Sequence, residues 1–209
     1  MKIVKADRAG IREAVGVLKS GGVIAYPTET TYGLGCDPRD ATAVRRIFRI
    51  KGRDEKKPML LVAASAAQVK KVAVVSGISA RLAKRYWPGP LTLVLPIRRE
   101  GGGTPPLPKT ITPRDEIAIR VSSSPIVQRL TRRFGFPIVS TSANRSGKQE
   151  CRSGKAIEEF FSSRRNRPDL IIDGGTLPKR KPSTIARVKK DGTVDVLREG
   201  SVKIKVASP

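Results

Sequence analysis

Apolar and polar residues follow one another along this chain in two patterns, and each pattern predicts a different kind of element. In five segments the apolar residues recur every three or four positions, which is the spacing of a helix with one buried face. Asp7, Asp40 and Ser124 can act as N-caps for three of these segments. The predicted helices cover residues 7–20, 40–50, 66–86, 124–134 and 153–161.

Short continuous apolar runs lie between the helical segments and predict buried strands. The last two runs flank Asp191-Gly192, a dipeptide typical of a hairpin turn. Helices and strands alternate without an internal repeat or a long linker, so we expect one α/β domain over residues 1–209. The predicted strands cover residues 23–26, 59–64, 91–95, 117–121, 137–141, 170–172, 184–188 and 194–197.

Two of the predicted strands run directly into polar residues. Pro27 ends the first strand, and residues 28–32 then offer hydroxyls and a carboxylate. A later strand delivers residues 140–144 in the same way. Gly33 and Gly35 allow the backbone to approach a ligand closely. Since polar loops at strand ends can line one crevice, the sequence predicts a small-molecule pocket here.

Lys51 and Arg53 stand two positions apart, just past a predicted helix. In an extended segment their side chains point the same way and can hold one polyanion between them. An arginine fork and a lysine point charge together suit a nucleoside triphosphate. The alternative is an exposed cationic turn without a ligand.

Four further residues offer groups that bind anions. Ser140 and Ser142 alternate along a strand, so both hydroxyls face one side, and Asn144 follows in a tight turn. These groups bind a phosphate or carboxylate, or they form a hydrogen-bonded turn that holds the loop closed. Arg120 lies in an apolar strand, where a buried charge requires a partner, either an acidic residue or an anionic ligand.

Two more candidate residues lie near the end of the chain. Ser183 places a hydroxyl at a strand boundary, and Arg198 closes the last strand, where it can meet a phosphate. The chain has neither a Walker glycine loop nor a GxGxxG sequence, so a bound nucleotide requires another architecture. The Gly/Pro-rich segment 101–113 is a candidate mobile loop or a simple surface excursion.

Composition narrows the chemistry that this chain can perform. It has 209 residues and no histidine, which excludes histidine triads and histidine-based zinc sites. Two cysteines, Cys36 and Cys151, are too few for a four-thiolate metal site, and a disulfide between them stays open. We find neither a membrane-spanning run nor a secretion signal, and therefore expect a cytoplasmic protein with free thiols and no membrane partner.

The net charge of the chain is strongly positive. It has 42 basic and 18 acidic side chains, giving a formal charge of +24. Such an excess attracts polyanions, and we expect some contact with RNA. A solvated cationic surface that only maintains solubility is the alternative for any single cluster.

Seven motifs, in order and over nearly the whole chain, resemble the YrdC family, the threonylcarbamoyladenylate synthases, in its short form. They are GGVIAYPTETTYGLGCDP, KGR, WPGPLTLVLP, IAIRV, PIVSTSANRSGK, KPSTIARV and LREG. The resemblance implies a twisted, mixed α/β sheet with a concave basic groove. It also implies a reaction in which L-threonine, bicarbonate and ATP give threonylcarbamoyl-AMP and pyrophosphate, the first step toward threonylcarbamoyladenosine in tRNA.

The resemblance also implies roles for particular residues. Lys51 and Arg53 would be catalytic, and Mg²⁺ would arrive with ATP without a protein-bound metal. The threonine site would consist of Thr30, Arg120, Ser140 and Ser183. The ATP site would consist of Lys51, Arg53, Lys57, Ser142, Asn144 and Arg198.

At Glu116, Val62 and Lys57 this sequence departs from the pattern of the family. The expected partners are the three substrates, RNA in the form of tRNA or a double strand, and a downstream tRNA-modifying transferase complex. The competing hypothesis is a nonenzymatic protein that binds double-stranded RNA or the ribosome. Paired hydroxyls at strand ends favour the enzyme, because contacts with an RNA backbone do not require them.

Overall fold

Ten strands form one mixed sheet in the computed structural model, which describes residues 1–98, 107–189 and 191–204. Their order across the sheet is β1-β8-β2-β3-β7-β4-β6-β5-β9-β10, with both parallel and antiparallel neighbours. The predicted mixed α/β fold is confirmed. The strands are β1 (Lys2–Lys5), β2 (Ile24–Pro27), β3 (Tyr32–Gly35), β4 (Leu60–Ala63), β5 (Leu91–Pro96), β6 (Glu116–Val121), β7 (Ile138–Ser142), β8 (Leu170–Asp173), β9 (Thr184–Val188) and β10 (Val194–Arg198).

The helices begin where the sequence provides a cap. Asp7 Oδ1 accepts the backbone N–H of Gly10, and Asp40 caps the second helix in the same way. Ser124 caps a helix whose first residue is proline, which lacks a donor that would otherwise be unpaired. The helices are α1 (Arg8–Lys19), α2 (Ala41–Lys51), α3 (Ala66–Lys70), α4 (Gly77–Tyr86), α5 (Pro125–Phe134) and α6 (Gly154–Phe161). None of the helices in the described ranges is long and apolar enough to cross a bilayer.

Strands β4, β5 and β6 present different environments on their two faces. Leu61, Leu93 and Ile119 are fully buried on the face that α3, α4 and α5 cover. Their neighbours Leu60 and Val94 point to the opposite face and line a cavity. Because successive side chains of a strand alternate between faces, this half of the sheet has one covered face and one open face.

Strands β2 and β8 lie in the other half of the sheet. All four residues of β2 are buried, so both of its faces are covered. Helix α1 contacts β1, β2 and β8, while α6 contacts β2 and β8. Continuous burial explains why these strands are apolar at successive positions instead of every second one.

The structure corrects three predictions of secondary structure. Residues 32–35, predicted as part of a loop, form β3, which pairs antiparallel with β2. The edge strand β1 had no apolar run to indicate it. The helix predicted over residues 66–86 is two helices, because the segment between them forms an isolated antiparallel bridge instead, in which Ala73 pairs with Ile97 just after β5.

The two predicted ligand-approach glycines have different surroundings. A Cβ on Gly35 would lie 2.7 Å from both the Tyr26 ring and the Val139 carbonyl, so this glycine is required by packing and not by a ligand. Gly33 does line the cavity. Both cysteines are free and buried, which leaves no disulfide between them. Residues 101–106 of the predicted mobile loop lie outside the described residues.

Candidate active site

A cavity of about 490 Å³ lies on the open face of the sheet. Its walls come from the turn between β2 and β3, from α2's C-terminal loop and from alternate residues of the central strands. Lining residues that the sequence singled out are Thr30, Gly33, Arg53, Glu116, Arg120, Ser140, Ser142, Ser183 and Arg198. Segments distant in sequence are therefore brought together, as expected from polar strand ends that share one crevice.

The turn before β3 is held by a threonine hydroxyl. Thr28 Oγ1 accepts the backbone N–H groups of Thr30 and Thr31 at 3.1 and 3.2 Å and donates to the Thr31 carbonyl at 2.6 Å. These bonds close a tight turn from the side chain. Thr30 Oγ1 lies 3.1 Å from the same hydroxyl, so its position in the cavity wall is fixed.

Arg120 is held by a buried carboxylate. Its Nε donates to Glu29 Oε1 at 2.8 Å, and the two side chains are only 5% and 6% exposed. Ser122 also donates to Glu29. The structure thus identifies an acidic residue as the required partner. No described residue accepts a hydrogen bond from the Nη groups of Arg120, and Arg120 lines the cavity. One edge of the guanidinium is fixed, and the other can meet a ligand.

Ser140 and Ser142 both line the cavity, as their alternation on β7 predicts. The Ser142 hydroxyl donates to Asn144 Oδ1 at 2.8 Å, and the Asn144 amide donates to the Lys148 carbonyl. Asn144 itself is buried and is not among the cavity-lining residues. The end of β7 is therefore the hydrogen-bonded turn of one alternative, and it also forms part of the cavity wall.

The predicted geometry of Lys51 is wrong. Lys51 is the last residue of α2, and Gly52 follows with a left-handed φ of 55°, so the pair does not lie in an extended segment. The Lys51 amine points inward and donates to Ser142 O at 2.6 Å, Asn144 O at 3.0 Å and Asn144 Oδ1 at 2.9 Å. Burial lowers the pKa of this amine to about 8. Lys51 is 2% exposed and holds the turn behind the cavity without lining it.

Arg53, in contrast, reaches the cavity. Its guanidinium donates to the carbonyls of Lys57 and Pro58 at 3.1 and 3.0 Å, which fixes its orientation. Burial lowers its pKa, although an arginine keeps its charge. Lys57 contributes this carbonyl, whereas its side chain is exposed and lies outside the cavity lining. The neighbouring Lys56 lines the cavity instead.

Ser183 and Arg198, both near the end of the chain, are joined by hydrogen bonds. Arg198 donates to the Ser183 carbonyl through Nε at 3.1 Å and Nη2 at 2.7 Å, and to the Ser183 hydroxyl at 2.9 Å. That hydroxyl also lies 3.0 Å from Thr92 Oγ1. The cation and the hydroxyl are therefore presented to the cavity as one unit.

One ion pair in the wall was not predicted. Arg187 Nη2 lies 2.9 Å from Glu116 Oε2, and both residues line the cavity. Arg187 Nε is buried and has no hydrogen-bond partner among the residues that the structure describes. Alternation along β9 places Arg187 on the cavity face, two positions from Ile185, so the strand pattern was the available signal.

Positive charge predominates among the residues that line the cavity. Among the described lining residues, six are cationic and two, Glu116 and Glu150, carry carboxylates. This excess suits an anionic ligand, and nearby hydroxyls supply neutral donors. The cationic lining residues are Arg53, Lys56, Arg114, Arg120, Arg187 and Arg198.

Relatives with this sequence pattern carry the name of one enzyme. Threonylcarbamoyl-AMP synthase from Thiobacillus denitrificans is 40% identical over 169 residues, which is 80% of this chain and 85% of that protein. The Halorhodospira halophila protein of the same name is 39% identical over 177 residues, covering 84% of this chain and 88% of the relative.

Solved structures share the fold over almost the whole chain. P. abyssi Sua5 complexed with L-threonine superposes with a TM-score of 0.80 at 36% identity, covering 95% of this chain but only 56% of that one. E. coli YciO gives a TM-score of 0.82 at 31% identity, covering 98% and 97% of the two chains. A family model named Sua5_yciO_yrdC and described as telomere recombination matches residues 16–200. The chain belongs to the Sua5/YciO/YrdC family.

Proposed function

We propose that this chain is a threonylcarbamoyl-AMP synthase, which joins L-threonine, bicarbonate and ATP and releases pyrophosphate. The observation that carries the proposal is the convergence of a fixed arginine, several hydroxyls and two further arginines on one cavity. Relatives about 40% identical bear the name of this enzyme. A related Sua5 structure was solved with L-threonine. These relatives give no support to the nonenzymatic alternative.

In this proposal, Arg120 binds the carboxylate of threonine. Glu29 occupies its Nε, so the Nη edge remains available for the two carboxylate oxygens. Thr30, Ser140 and Ser183 line the same cavity and supply hydroxyls for the amino and hydroxyl groups of the substrate. The rigid turn of Thr28 fixes the first of these hydroxyls in advance, which limits the entropy lost on binding.

The triphosphate would be bound by Arg53, Arg198 and Ser142, all of which line the cavity. Lys51 and Asn144 would act from behind it by fixing the end of β7, since the Lys51 amine is bonded to both neighbouring carbonyls. Lys57 would act through its carbonyl, which orients Arg53. Lys51, Asn144 and Lys57 are thus positioning residues in this proposal, and Arg53 is the catalytic cation.

The reaction requires orientation and charge neutralisation more than acid–base groups. The amine of threonine adds to bicarbonate and water leaves, giving a carbamate. A carbamate oxygen then attacks the α-phosphorus of ATP, and the bond to pyrophosphate breaks. Holding the reactants together can supply roughly 7 kcal/mol of the barrier reduction, and the arginines neutralise charge that develops on the leaving group. A chain without histidine can do both.

Magnesium would enter with the nucleotide. The described residues contain no group of three or more His, Cys, Asp or Glu that could hold a metal ion. Mg²⁺ commonly keeps several waters and binds mainly substrate phosphates, so the donor set present here fits an ion carried by ATP. When bound, the ion would neutralise the phosphate oxygens, while Glu150 is a cavity carboxylate able to accept hydrogen bonds from its waters.

Four broader expectations remain part of the proposal. The product would pass to a tRNA-modifying transferase complex, and tRNA or double-stranded RNA would be a partner of this chain. The compartment would be the cytoplasm, where ATP and tRNA are available. Residues 1–209 would act as one domain.

The test is threonine-dependent pyrophosphate release by the pure protein with ATP, bicarbonate and Mg²⁺. We expect release that requires all three substrates and falls at least about 100-fold in Arg53→Ala, which loses a cation at the transition state. Arg45→Ala is the matched control, because Arg45 is an exposed arginine of α2 outside the cavity. No release with any combination of substrates, or equal losses in the two variants, would refute the proposal.

A further inference from the structure

Residues 200–204 follow β10 and run back beside the residues that lead into β9. Ser201 donates to the Pro182 carbonyl through its backbone N–H at 2.9 Å and through its hydroxyl at 3.1 Å. Exposed and half-buried side chains alternate from residue 201 onward, and the half-buried Val202 and Ile204 pack against the core. The 200–204 segment is therefore anchored by hydrogen bonds on one side and by apolar contacts on the other.

A threonine hydroxyl joins this segment to β9. Thr184 Oγ1 donates to the Val202 carbonyl at 2.6 Å and accepts the Val202 N–H at 3.0 Å. The Thr184 backbone N–H donates to the Pro90 carbonyl at 3.0 Å, and the residue is only 1% exposed. A hydroxyl can donate and accept at the same time, and here it does both. We call the two bonds between Thr184 and Val202 the clasp.

Gly200 allows the segment to approach the backbone of β9 closely. A Cβ on Gly200 would lie 2.3 Å from the Pro182 carbonyl oxygen. It would also lie 2.6 Å from the Ser183 carbonyl carbon and from the Thr184 nitrogen. All three are backbone atoms, which cannot move aside as the end of a flexible side chain can. The segment therefore packs directly on the main chain at Ser183.

A β-bulge in β10 turns Arg198 toward the cavity. Val196 pairs with Ala186, but Arg198 pairs with Ile185, so β10 has one extra residue, Leu197, between the two pairs. In an unbroken register Leu197 would lie opposite Ile185, and Arg198 would point to the other face. Because residues directly opposite each other share a face, the bulge places Arg198 beside Ile185 on the face that lines the cavity.

These features converge on the pair formed by Ser183 and Arg198. Arg198 donates to both the carbonyl and the hydroxyl of Ser183, and both residues line the cavity. The clasp holds the residue after Ser183, and Ser201 holds the residue before it. The main chain on either side of Ser183 is thus fixed by the 200–204 segment.

We propose that Thr184 is a positioning residue, which acts through the clasp to hold Ser183 and Arg198 in the geometry that binds an anion in the cavity. The proposal rests on the function proposed above for the identity of that anion, the triphosphate of ATP. A cation and a hydroxyl that are fixed before binding lose less entropy when the ligand arrives. Thr184 itself does not line the cavity, so its effect on a ligand passes through its neighbours.

The experiment compares Thr184→Val with Thr184→Ser, because valine keeps the branched shape without the hydroxyl and serine keeps the hydroxyl. Calorimetry measures the affinity for inorganic pyrophosphate, and pyrophosphate release measures KM and kcat. In Thr184→Val we expect pyrophosphate affinity to fall about tenfold and the KM values for ATP and threonine to rise about fivefold or more. The kcat should change less than about threefold, since Arg53 stays in place. Thr184→Ser should remain within about twofold of the wild type.

Thr131→Val is the matched control. Thr131 is also fully buried, and its hydroxyl donates to the Val127 carbonyl at 2.8 Å within α5, outside the cavity lining. The same substitution there should lower stability while leaving pyrophosphate affinity and both KM values within about twofold of the wild type. It separates a general loss of stability from a loss of positioning.

A double-mutant cycle tests whether Thr184 acts through Arg198. Arg198→Gln removes the cation, so adding Thr184→Val to it should change pyrophosphate affinity by less than about twofold. Full additivity of the two losses would mean that Thr184 affects the ligand by a route that does not involve Arg198, and would overturn the proposal.

Amide hydrogen exchange measured by NMR tests the clasp without any ligand. In Thr184→Val the Val202 N–H loses its acceptor and should exchange at least about tenfold faster, whereas Thr184→Ser should keep its protection. Ser201→Ala removes only the hydroxyl bonds of an exposed residue. It should give a smaller loss of pyrophosphate affinity in the same direction, which keeps the proposal testable if Thr184→Val does not fold.

The outcomes separate this proposal from the proposed reaction. Wild-type protein that binds pyrophosphate, shows this pattern of variants and releases none from ATP would support the clasp and refute the reaction. Normal release by the wild type with unchanged KM values in Thr184→Val would refute the clasp alone. Equal losses of pyrophosphate affinity in Thr131→Val and Thr184→Val, or unchanged exchange at Val202, would also overturn it.

Discussion

The two halves of the sheet differ in how their faces are covered and in the kinds of side chain that they carry. Strands β1, β8, β2 and β3 form a half in which β2 and β3 are buried at every position. In the other half, helices cover β4, β5 and β6 on one face, and the opposite face of these strands lines the cavity. The first half consists mainly of apolar packing and contributes Tyr32 and Gly33 of β3 to the cavity wall, whereas the open face of the second half holds arginines and hydroxyls that need partners. Stability and reactivity are thus separated by sheet face as well as by strand.

Two adjacent leucines of β4 provide the strongest test of that separation. Leu61 is fully buried beneath the helices, whereas Leu60 lines the cavity. We expect Leu61→Ala to lower the free energy of unfolding by about 4 kcal/mol, because it leaves a void in close-packed surroundings. Leu60→Ala should cost about 1 kcal/mol and mainly change the KM values for substrates.

Urea unfolding followed by circular dichroism measures both losses on the same strand with the same substitution. Similar losses for the two variants would contradict a division between a structural face and a reactive face.

The buried ion pair between Glu29 and Arg120 provides a second test of the comparison, because it places two buried charges in the wall region of the cavity. Glu29→Gln leaves the Arg120 charge without its counterion, and we expect a loss of about 3 kcal/mol in unfolding free energy. The KM for threonine should rise at least about tenfold as Arg120 loses its fixed orientation. Unfolding curves and pyrophosphate release with varied threonine measure the two effects.

Glu116→Gln is the control for that substitution. Its pair with Arg187 is 29% and 32% exposed, so solvent screens it, and the expected cost is about 1 kcal/mol or less. A threonine KM that stays at the wild-type value in Glu29→Gln would show that Glu29 does not orient the substrate-binding arginine.

The smallest expected effect concerns Lys51 and pH. Burial lowers its pKa from 10.5 to about 8 in the folded chain. Between those two pH values the unfolded chain holds more protons at this position, so its contribution to folding stability increases as the pH rises. The increase is at most about 1.4 kcal/mol per pH unit.

Unfolding of the wild type and of Lys51→Met at pH 7.5, 9 and 10 isolates this contribution, because all other titrating groups are common to both proteins. The difference in unfolding free energy should shift in favour of the wild type as the pH rises. A constant difference would mean that Lys51 keeps its ordinary pKa despite its burial, and an opposite difference would mean that its pKa is raised in the folded chain.

Helices and strands with a regular spacing of apolar residues were predictable from the sequence. Positions where the chain reverses direction were not. The α5 helix and strand β6 follow from their apolar spacing and from the caps around them. Strand β3 was missed because it has only four residues, two of them glycine, and because a turn closed by a side chain joins it to its partner β2. Tertiary pairing overrides weak local preference in such a segment.

The candidate site shows the same limit. Ser140 and Ser142 could be placed on one face, because alternation on a strand is a local rule. Lys51 could not be placed, because the left-handed Gly52 turns the chain between it and Arg53. Arg187 and its unpredicted partner Glu116 meet across β5, and such a meeting depends on strand order, which the sequence does not state.

The junction between β3 and β7 has a consequence for how the protein matures. It is where the two halves of the sheet join, and it pairs Gly33 with Ser142 and Leu34 with Thr141. A slip by one residue would turn the serines of β7 away from Thr30, since neighbouring side chains point to opposite faces. Correct registration of the sheet and assembly of the cavity are therefore a single folding event, and a misaligned molecule carries no working cavity.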